Sequence, residues 1–277
     1  APVPIAQINA GAAYAVAGGL YPIIFLPPGN IAFGKLSQAL EYGARTIQVE
    51  ANFDQILALV RTLSERMGIY LLNSINPFRI EGQKTIAFEL MEQLDWNPPD
   101  WIVLPGGNLG NVSALGKALR EMLEWGLIAR SPRLAVVQAE GAAPFYEYFH
   151  HGGPFRAVAH PQTLATAIKI GDPVSWPKAE LELRASHGTV EKATETEIAD
   201  AKAVIGKCGI GCEPASAATL AGIRKLRTAG VIGSGENTVA LLTGNVLKDP
   251  DYVYGYHMGT LKDLTGNLIA GAFQNKP

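Results

Sequence analysis

Six short apolar runs, each separated from the next by residues spaced as on a helix, limit what this chain can fold into more than any other feature. They are YPIIFL at 21–26, RTIQVE at 45–50, GIYLLN at 68–73, WIVLP at 101–105, RLAVVQA at 133–139 and TVALLTG at 238–244. Strands apolar on both faces must be covered on both faces, so the pattern predicts an α/β fold, with mainly parallel sheets and helices on either side. Phe53, Ile56, Leu57, Val60, Leu63 and Met67 recur at helical spacing, as do Ile86, Ala87, Leu90, Met91 and Leu94; both stripes are expected in the core. Thr194 followed by Glu197 reads as a capping box opening a helix through Ile198, Ala201 and Ile205. Pro214 suits the first turn of another helix, which stops at Gly230. A domain boundary is expected near Ser74 to Pro77, where a strand ends and polar residues gather.

Composition removes several function classes. A chain of 277 residues can bury a large core, as one large domain or two modest ones. Its 23 basic and 25 acidic residues nearly cancel, so neither nucleic acid nor an acidic membrane surface is expected as a partner. No charge precedes Lys35, yet Gly18, Gly19, Pro22, Pro27 and Pro28 interrupt the roughly 20 apolar residues that a membrane span requires. A signal peptide would carry a basic leader, so a small-residue helix running into a buried strand is expected instead. Cys208 and Cys212 are the only cysteines, a sparse use that fits a reducing, cytoplasmic compartment. Two such ligands make a poor metal site, and His150 and His151, with no cysteine or carboxylate at ligand spacing, read as surface residues; no metal is expected.

Chemistry enters at WIVLPGGNLGN, residues 101–111. An apolar run stops at a proline and turns through glycines and asparagines into a helix with Val112, Leu115, Leu119 and Met122 on one face. Glycine tolerates positive φ and lets backbone approach a ligand, so the N–H groups of Gly107 to Asn111 are suited to one phosphate. The helix adds its positive N-terminal end. A phosphorylated ligand is the first expectation, and a tight strand-to-helix turn without a ligand is the alternative. Right-handed crossovers place such loops at the carboxyl ends of the strands, so NSINPFR after GIYLL, PGGNLGN after WIVL and TGN after VALL are expected to converge. A nucleotide-binding Rossmann domain is disfavoured, because PGGNLGN lacks the GxGxxG spacing.

With these segments in order, the chain resembles the threonine-synthase branch of the pyridoxal-phosphate enzymes, built on the tryptophan-synthase β (fold type II) architecture. The match runs through AYAVAGGL, GKLSQAL, NSINPFRIEGQKTIAFEL, VLPGGNLGN, QAEGAAP, TLATAIKIGDPVSW, CEPASAATLAG and LLTGNVLKDP. The resemblance implies a two-domain protein in which residues 1–75 are a remnant of the smaller α/β domain and 76–277 form the larger, cofactor-binding one. It implies pyridoxal 5'-phosphate as cofactor, with Gly107, Asn108, Leu109, Gly110 and Asn111 holding its phosphate. Thr243 matches the hydroxyl that hydrogen-bonds the pyridine nitrogen, and Glu213 matches a carboxylate near the ring. Read alone, Thr243 caps a strand and Glu213 caps the helix that Pro214 begins. Asn73, Ser74 and Arg79 match positions that bind the substrate phosphate of O-phosphohomoserine, a role suited to the planar fork of arginine. Read alone, Arg79 is a solvated or salt-bridged surface group. Gly141, Ala142 and Ala143 match a loop beside the active centre.

The implied activity is conversion of O-phosphohomoserine and water to threonine and phosphate, in a cytoplasmic homodimer acting in amino-acid biosynthesis. The family's cofactor-anchoring lysine lies in a GSFKDRG-like motif that does not occur in these 277 residues. The expectation is therefore of an amino-terminally truncated chain, with exposed sheet edges and no assigned catalytic lysine. Lys35 and Lys84 match non-catalytic lysines of the family, Asn9 is a weak stand-in for a missing asparagine turn, and Asn245 replaces a usual histidine. The other readings are a non-catalytic pyridoxal-phosphate-binding homologue and another fold type II enzyme of the β-replacing or dehydratase kind.

Overall fold

The computed structural model describes residues 5–26, 33–51, 53–73 and 76–274. In chain order its helices are α1 (Ile5–Ala17), α2 (Phe33–Glu41), α3 (Phe53–Met67), α4 (Phe78–Gln83), α5 (Thr85–Gln93) and α6 (Gly110–Glu124). They continue with α7 (Pro144–His151), α8 (Trp176–Ala185), α9 (Glu195–Lys207), α10 (Pro214–Thr228) and α11 (Pro250–His257). Strands β1 (Ile23–Leu26) and β2 (Arg45–Gln48) pair in parallel as a small sheet. Strands β3 (Trp101–Pro105), β4 (Arg133–Ala139), β5 (Thr189–Ala193) and β6 (Thr238–Ala240) form a larger one in the order β5-β4-β3-β6, again parallel throughout. The α/β class expected from the sequence is the class observed.

The larger sheet shows why its central strands read as unbroken apolar runs. Successive side chains on a strand point to opposite faces. Ile102, Leu104, Leu134 and Val136 pack on one side, with Met91 of α5, Leu115 of α6 and Leu183 of α8. Val103, Ala135 and Val137 pack on the other, with Ile198 and Ala201 of α9 and Ala218 of α10. A separate cluster of Ala12, Ile24, Leu26, Ala39 and Ala44 forms the core around the small sheet.

At the edge where the chain enters these strands, polar groups stitch neighbours together. Glu236 is paired with Arg133 and accepts the Trp101 indole N–H at 3.0 Å, while Asp100 Oδ2 accepts the Asn237 amide at 2.8 Å and Oδ1 pairs with Arg130 at 3.1 Å.

Several expected elements form as read. Thr194 Oγ1 accepts the Glu197 amide at 3.2 Å, and the Glu197 carboxylate accepts the Thr194 amide at 2.8 Å, completing the capping box of α9. α10 begins at Pro214, and Gly230 follows its end at φ 70°. Others do not. GIYLLN is not a strand: the Ile69 carbonyl accepts the Ser64 hydroxyl at 2.6 Å and the Leu71 carbonyl accepts the Asn76 side-chain amide at 2.8 Å, in place of a ladder. β5, TVEKA, was not read as a strand, because only Val190 and Ala193 face the core while its charged Glu191 and Lys192 break the apolar run. In the α3 stripe Ile56 is buried, Val60 and Leu63 are half-buried and Met67 is 66% exposed, while the side chains of Phe53 and Leu57 lie outside the described residues; β1 buries only Ile24 and Leu26. Among the described residues no helix is long and apolar enough to cross a membrane, and no group of histidine, cysteine or carboxylate side chains is arranged to hold a metal.

Candidate functional site

Because β3, β4 and β6 are parallel neighbours, the loops after them leave the sheet along one edge. The loop after β3 is pinned first. Gly106 donates its amide to the Val137 carbonyl at 2.7 Å, and a Cβ at this position would stand 2.6 Å from Val136 Cγ1 and 2.7 Å from Gln138 Cγ. Only a residue without a side chain fits between the strands there. Gln138, wholly buried, uses Oε1 to accept the Phe145 and Tyr146 amides at 3.0 and 2.9 Å, fixing the start of α7 against the same loop.

The turn then reaches α6 through Leu109 at φ 63°. Positive φ was expected of the loop's glycines, yet it falls on leucine. The strain of about 1–2 kcal/mol is offset by burial of the side chain, which is 3% exposed in the core and contributes about 2 kcal/mol. α6 starts with no side-chain cap, and the amides of Gly107, Gly110 and Asn111 have no partner among the described residues. Asn111 buries its Oδ1 without a hydrogen bond. Uncapped amides at the head of a 15-residue helix form an anion cradle, which a plain tight turn does not require.

Thr243 lies three residues beyond β6 on the same edge, so it does not cap the strand. Its neighbour Glu213 occupies the N-cap position of α10 but makes no side-chain cap; instead Oε1 accepts the Thr243 hydroxyl at 3.2 Å. The backbones meet as well, since the Glu213 amide donates to the Gly244 carbonyl at 2.9 Å. A Cβ on Gly244 would stand 2.2 Å from Glu213 Cδ. Ser216, buried in the first turn of α10, was not singled out from the sequence. Its Oγ accepts the Thr243 and Gly244 amides at 2.8 and 3.1 Å, which leaves its hydrogen for Thr243 Oγ1 at 3.1 Å. The signal for it was a serine inside CEPASA, just after a helix-opening proline.

The third segment arrives differently from the expectation, carried by α4 and not by a strand end. Asn76 Oδ1 accepts the Phe78 amide at 2.9 Å and starts the helix. α4 and α5 are tied to α6 by the Lys84–Glu121 pair at 2.7 Å and by Lys117 with Glu81. Gln83 Oε1 and Ser175 Oγ lie 3.7 and 3.8 Å from where a Cβ on Gly110 would stand, so both border the cradle. Arg79 is one helical turn before Gln83 on the same face. It is half-buried and has no ion pair among the described residues, and burial pushes its guanidinium below the usual value. The surface ion pair considered for Arg79 is thus not found. Asn73 sits half-buried in the preceding turn; Ser74 lies outside the described residues.

At the exit of β4, Gly141 to Ala143 form a short turn with Ala142 and Ala143 buried. Lys84 is occupied by Glu81 and Glu121, as suits a structural lysine, and Asn245 caps the turn after Thr243 by accepting the Leu247 amide at 2.9 Å. The side chains of Asn9 and Lys35 lie outside the described residues. His150 and His151 are exposed, as expected.

Threonine synthase of Methanosarcina acetivorans is 48% identical over 250 residues, covering 88% of this chain and 62% of that protein. Threonine synthase of Methanocaldococcus jannaschii is 46% identical, covering 87% of this chain and 60% of its own length. The chain thus spans about three fifths of the length of these curated relatives. Among solved structures, a fungal L-serine ammonia-lyase from Rhizomucor miehei superposes with a TM-score of 0.73 at 23% identity, covering 89% of this chain and 78% of that one. Maize serine racemase superposes at 0.71 with 22% identity, covering 89% and 74%. These likenesses show the fold, that of fold type II enzymes. The family profile described as "Pyridoxal-phosphate dependent enzyme" matches residues 9–244, a span holding the glycine turn, Arg79, Glu213 and Thr243, and the chain belongs to that family.

Proposed function

We propose that the protein represented by this chain converts O-phosphohomoserine and water to threonine and phosphate, in amino-acid biosynthesis. In this reading residues 1–75 belong to a smaller domain, 76–277 form the larger cofactor-binding domain, and the protein works as a cytoplasmic homodimer.

Pyridoxal phosphate is the family's cofactor, and the residues present fit it: the main-chain amides of Gly107, Gly110 and Asn111, without partners among the described residues, offer donors for a phosphate at the head of α6. When bound, the cofactor supplies an electron sink for the substrate's carbon skeleton. Gly107, Asn108, Leu109, Gly110 and Asn111 hold its phosphate mainly through the main chain. Ser216 gives its hydrogen to Thr243 Oγ1, leaving the Thr243 hydroxyl free to donate to the ring nitrogen. A neutral donor there keeps the ring less electron-withdrawing than a carboxylate would. Glu213, held against Gly244, stands ready to take the Thr243 hydrogen when the ring does not. Asn73, Ser74 and Arg79 take the substrate phosphate.

The observation that carries the reading is Arg79: a half-buried guanidinium without a carboxylate partner among the described residues, on the helix face that borders the glycine turn. Such a cation calls for an anion. Replacing it separates the two phosphate sites. In Arg79→Ala, O-phosphohomoserine should bind about 10- to 100-fold more weakly by calorimetry, from loss of charge-assisted hydrogen bonds, with pyridoxal-phosphate binding by absorbance unchanged. Equal losses for both ligands refute the assignment.

A further inference from the structure

A hollow of about 370 Å³ opens between α9 and α11, lined by neither the glycine turn nor Arg79. Among its walls are Lys202 of α9, Cys212, Val246, and Tyr252, Tyr256 and His257 of α11. None of the residues assigned above to cofactor or substrate lines it. Lys202 is 8% exposed, with no ion pair and no hydrogen-bond acceptor among the described residues. A buried ammonium without a directly bonded acceptor is costly. Cys212 and Asp249 act on it electrostatically from nearby, yet burial outweighs them and lowers its pKa. The Tyr252 hydroxyl and His257 Nδ1 are also buried with no partner among the described residues.

Native interiors seldom leave such groups unsatisfied, and here three gather around one cavity. Ala199, Ala203, Ile210 and Val253 give the cavity aliphatic walls, and Lys207, which also lines it, holds its ammonium over the Phe273 ring at 4.3 Å. With Lys207 engaged on Phe273, Lys202 is the one lining cation that lacks a partner among the described residues, and with aliphatic walls beside it this matches a ligand with one negative charge and a short hydrocarbon body. A dianionic phosphate would leave one charge unbalanced, and a neutral ligand would leave the lysine as it is.

We propose that this cavity binds a small monocarboxylate with a short aliphatic body, the carboxylate meeting Lys202 and the Tyr252 hydroxyl and the body lying against Ala203 and Val253. Binding does not depend on the reaction assigned to the glycine turn. Because the carboxylate favours the ammonium form of Lys202, affinity falls as pH rises and that lysine loses its proton.

The test uses the full chain saturated with pyridoxal phosphate, titrated calorimetrically with butyrate and with butyramide, its uncharged counterpart. Butyrate is expected to bind saturably and about tenfold tighter or more, the scale of a charge-assisted hydrogen bond. Lys202→Met should erase that preference, and Ala203→Leu, which fills the cavity from a helix that accepts leucine, should remove binding. Equal affinity for the two ligands in the unaltered chain overturns the proposal without any variant having to fold. A preference for butyrate that survives Lys202→Met, or binding unchanged in Ala203→Leu, overturns it too. Inorganic phosphate displacing butyrate at equal or lower concentration would overturn the choice of a monocarboxylate.

Discussion

Ser216 is the residue on which the Thr243 side of the site turns, because one hydroxyl accepts two consecutive amides and still donates to Thr243. Ser216→Ala leaves both amides without that acceptor, a cost of about 1–3 kcal/mol that a urea melt will register. Cofactor affinity should fall as well, since Thr243 and Gly244 lose their fixed backbone. At this scale the sequence was legible where a residue's neighbours in the chain define its task. The glycine turn could be named because motif and strand end coincide, and Thr243 because the TGN segment resembles the family's. Ser216, Gln83 and Ser175 could not, because their roles depend on contacts 27 or more positions away, as in Ser216 with Thr243. Leu109 also lay beyond reach: nothing local says that leucine, between two glycines of GGNLG, takes the left-handed conformation.

Among elements, the tie between α6 and α8 is the one most exposed to damage. Arg120 holds Glu182 through two bonds, Nε to Oε2 at 2.9 Å and Nη2 to Oε1 at 2.8 Å, while the Glu182 side chain is 5% exposed. Arg120→Met strands that carboxylate and should cost about 3 kcal/mol in denaturant unfolding, with part recovered when Glu182→Gln is added. Helices and central strands were readable because apolar spacing and capping residues act locally, as Thr194 and Glu197 do. Edges were not. β5 is held by pairing with β4 in spite of its charged residues, and GIYLLN, for all its apolar character, has carbonyls claimed by Ser64 and Asn76. Strand formation rests on partners elsewhere in the chain, so composition alone misjudges both.

For the whole molecule, several carboxylates are held below their ordinary range. Hydrogen bonds from Lys117 and Lys84 bring Glu81 from 4.5 to about 2. Lys192 lowers Glu147, the Gly233 amide lowers Glu236, and the Thr265 hydroxyl lowers Asp263. A group with a depressed folded pKa contributes stability that is complete above its unfolded value and lost as pH falls through the folded one. Glu195 works in reverse: burial raises its pKa, so its contribution is present at low pH and lost as pH rises through the raised value. The depressed groups outnumber it. The melting temperature is therefore expected to drop as pH falls from the ordinary glutamate value of 4.5 toward 2, with a shallower drop in Glu81→Gln. A profile flat across that window contradicts the assignment.

The larger sheet has two unlike rims. At one lie the glycine turn, Thr243 and Arg79, to which the proposed function assigns ligands; at the other, Glu236, Arg133, Trp101 and Asp100 are sewn to one another. Harmful substitutions should accordingly sort into two phenotypes. Those at the sewn rim will thin the supply of folded protein while leaving each surviving molecule competent, and those at the open rim will let well-folded molecules accumulate that do nothing.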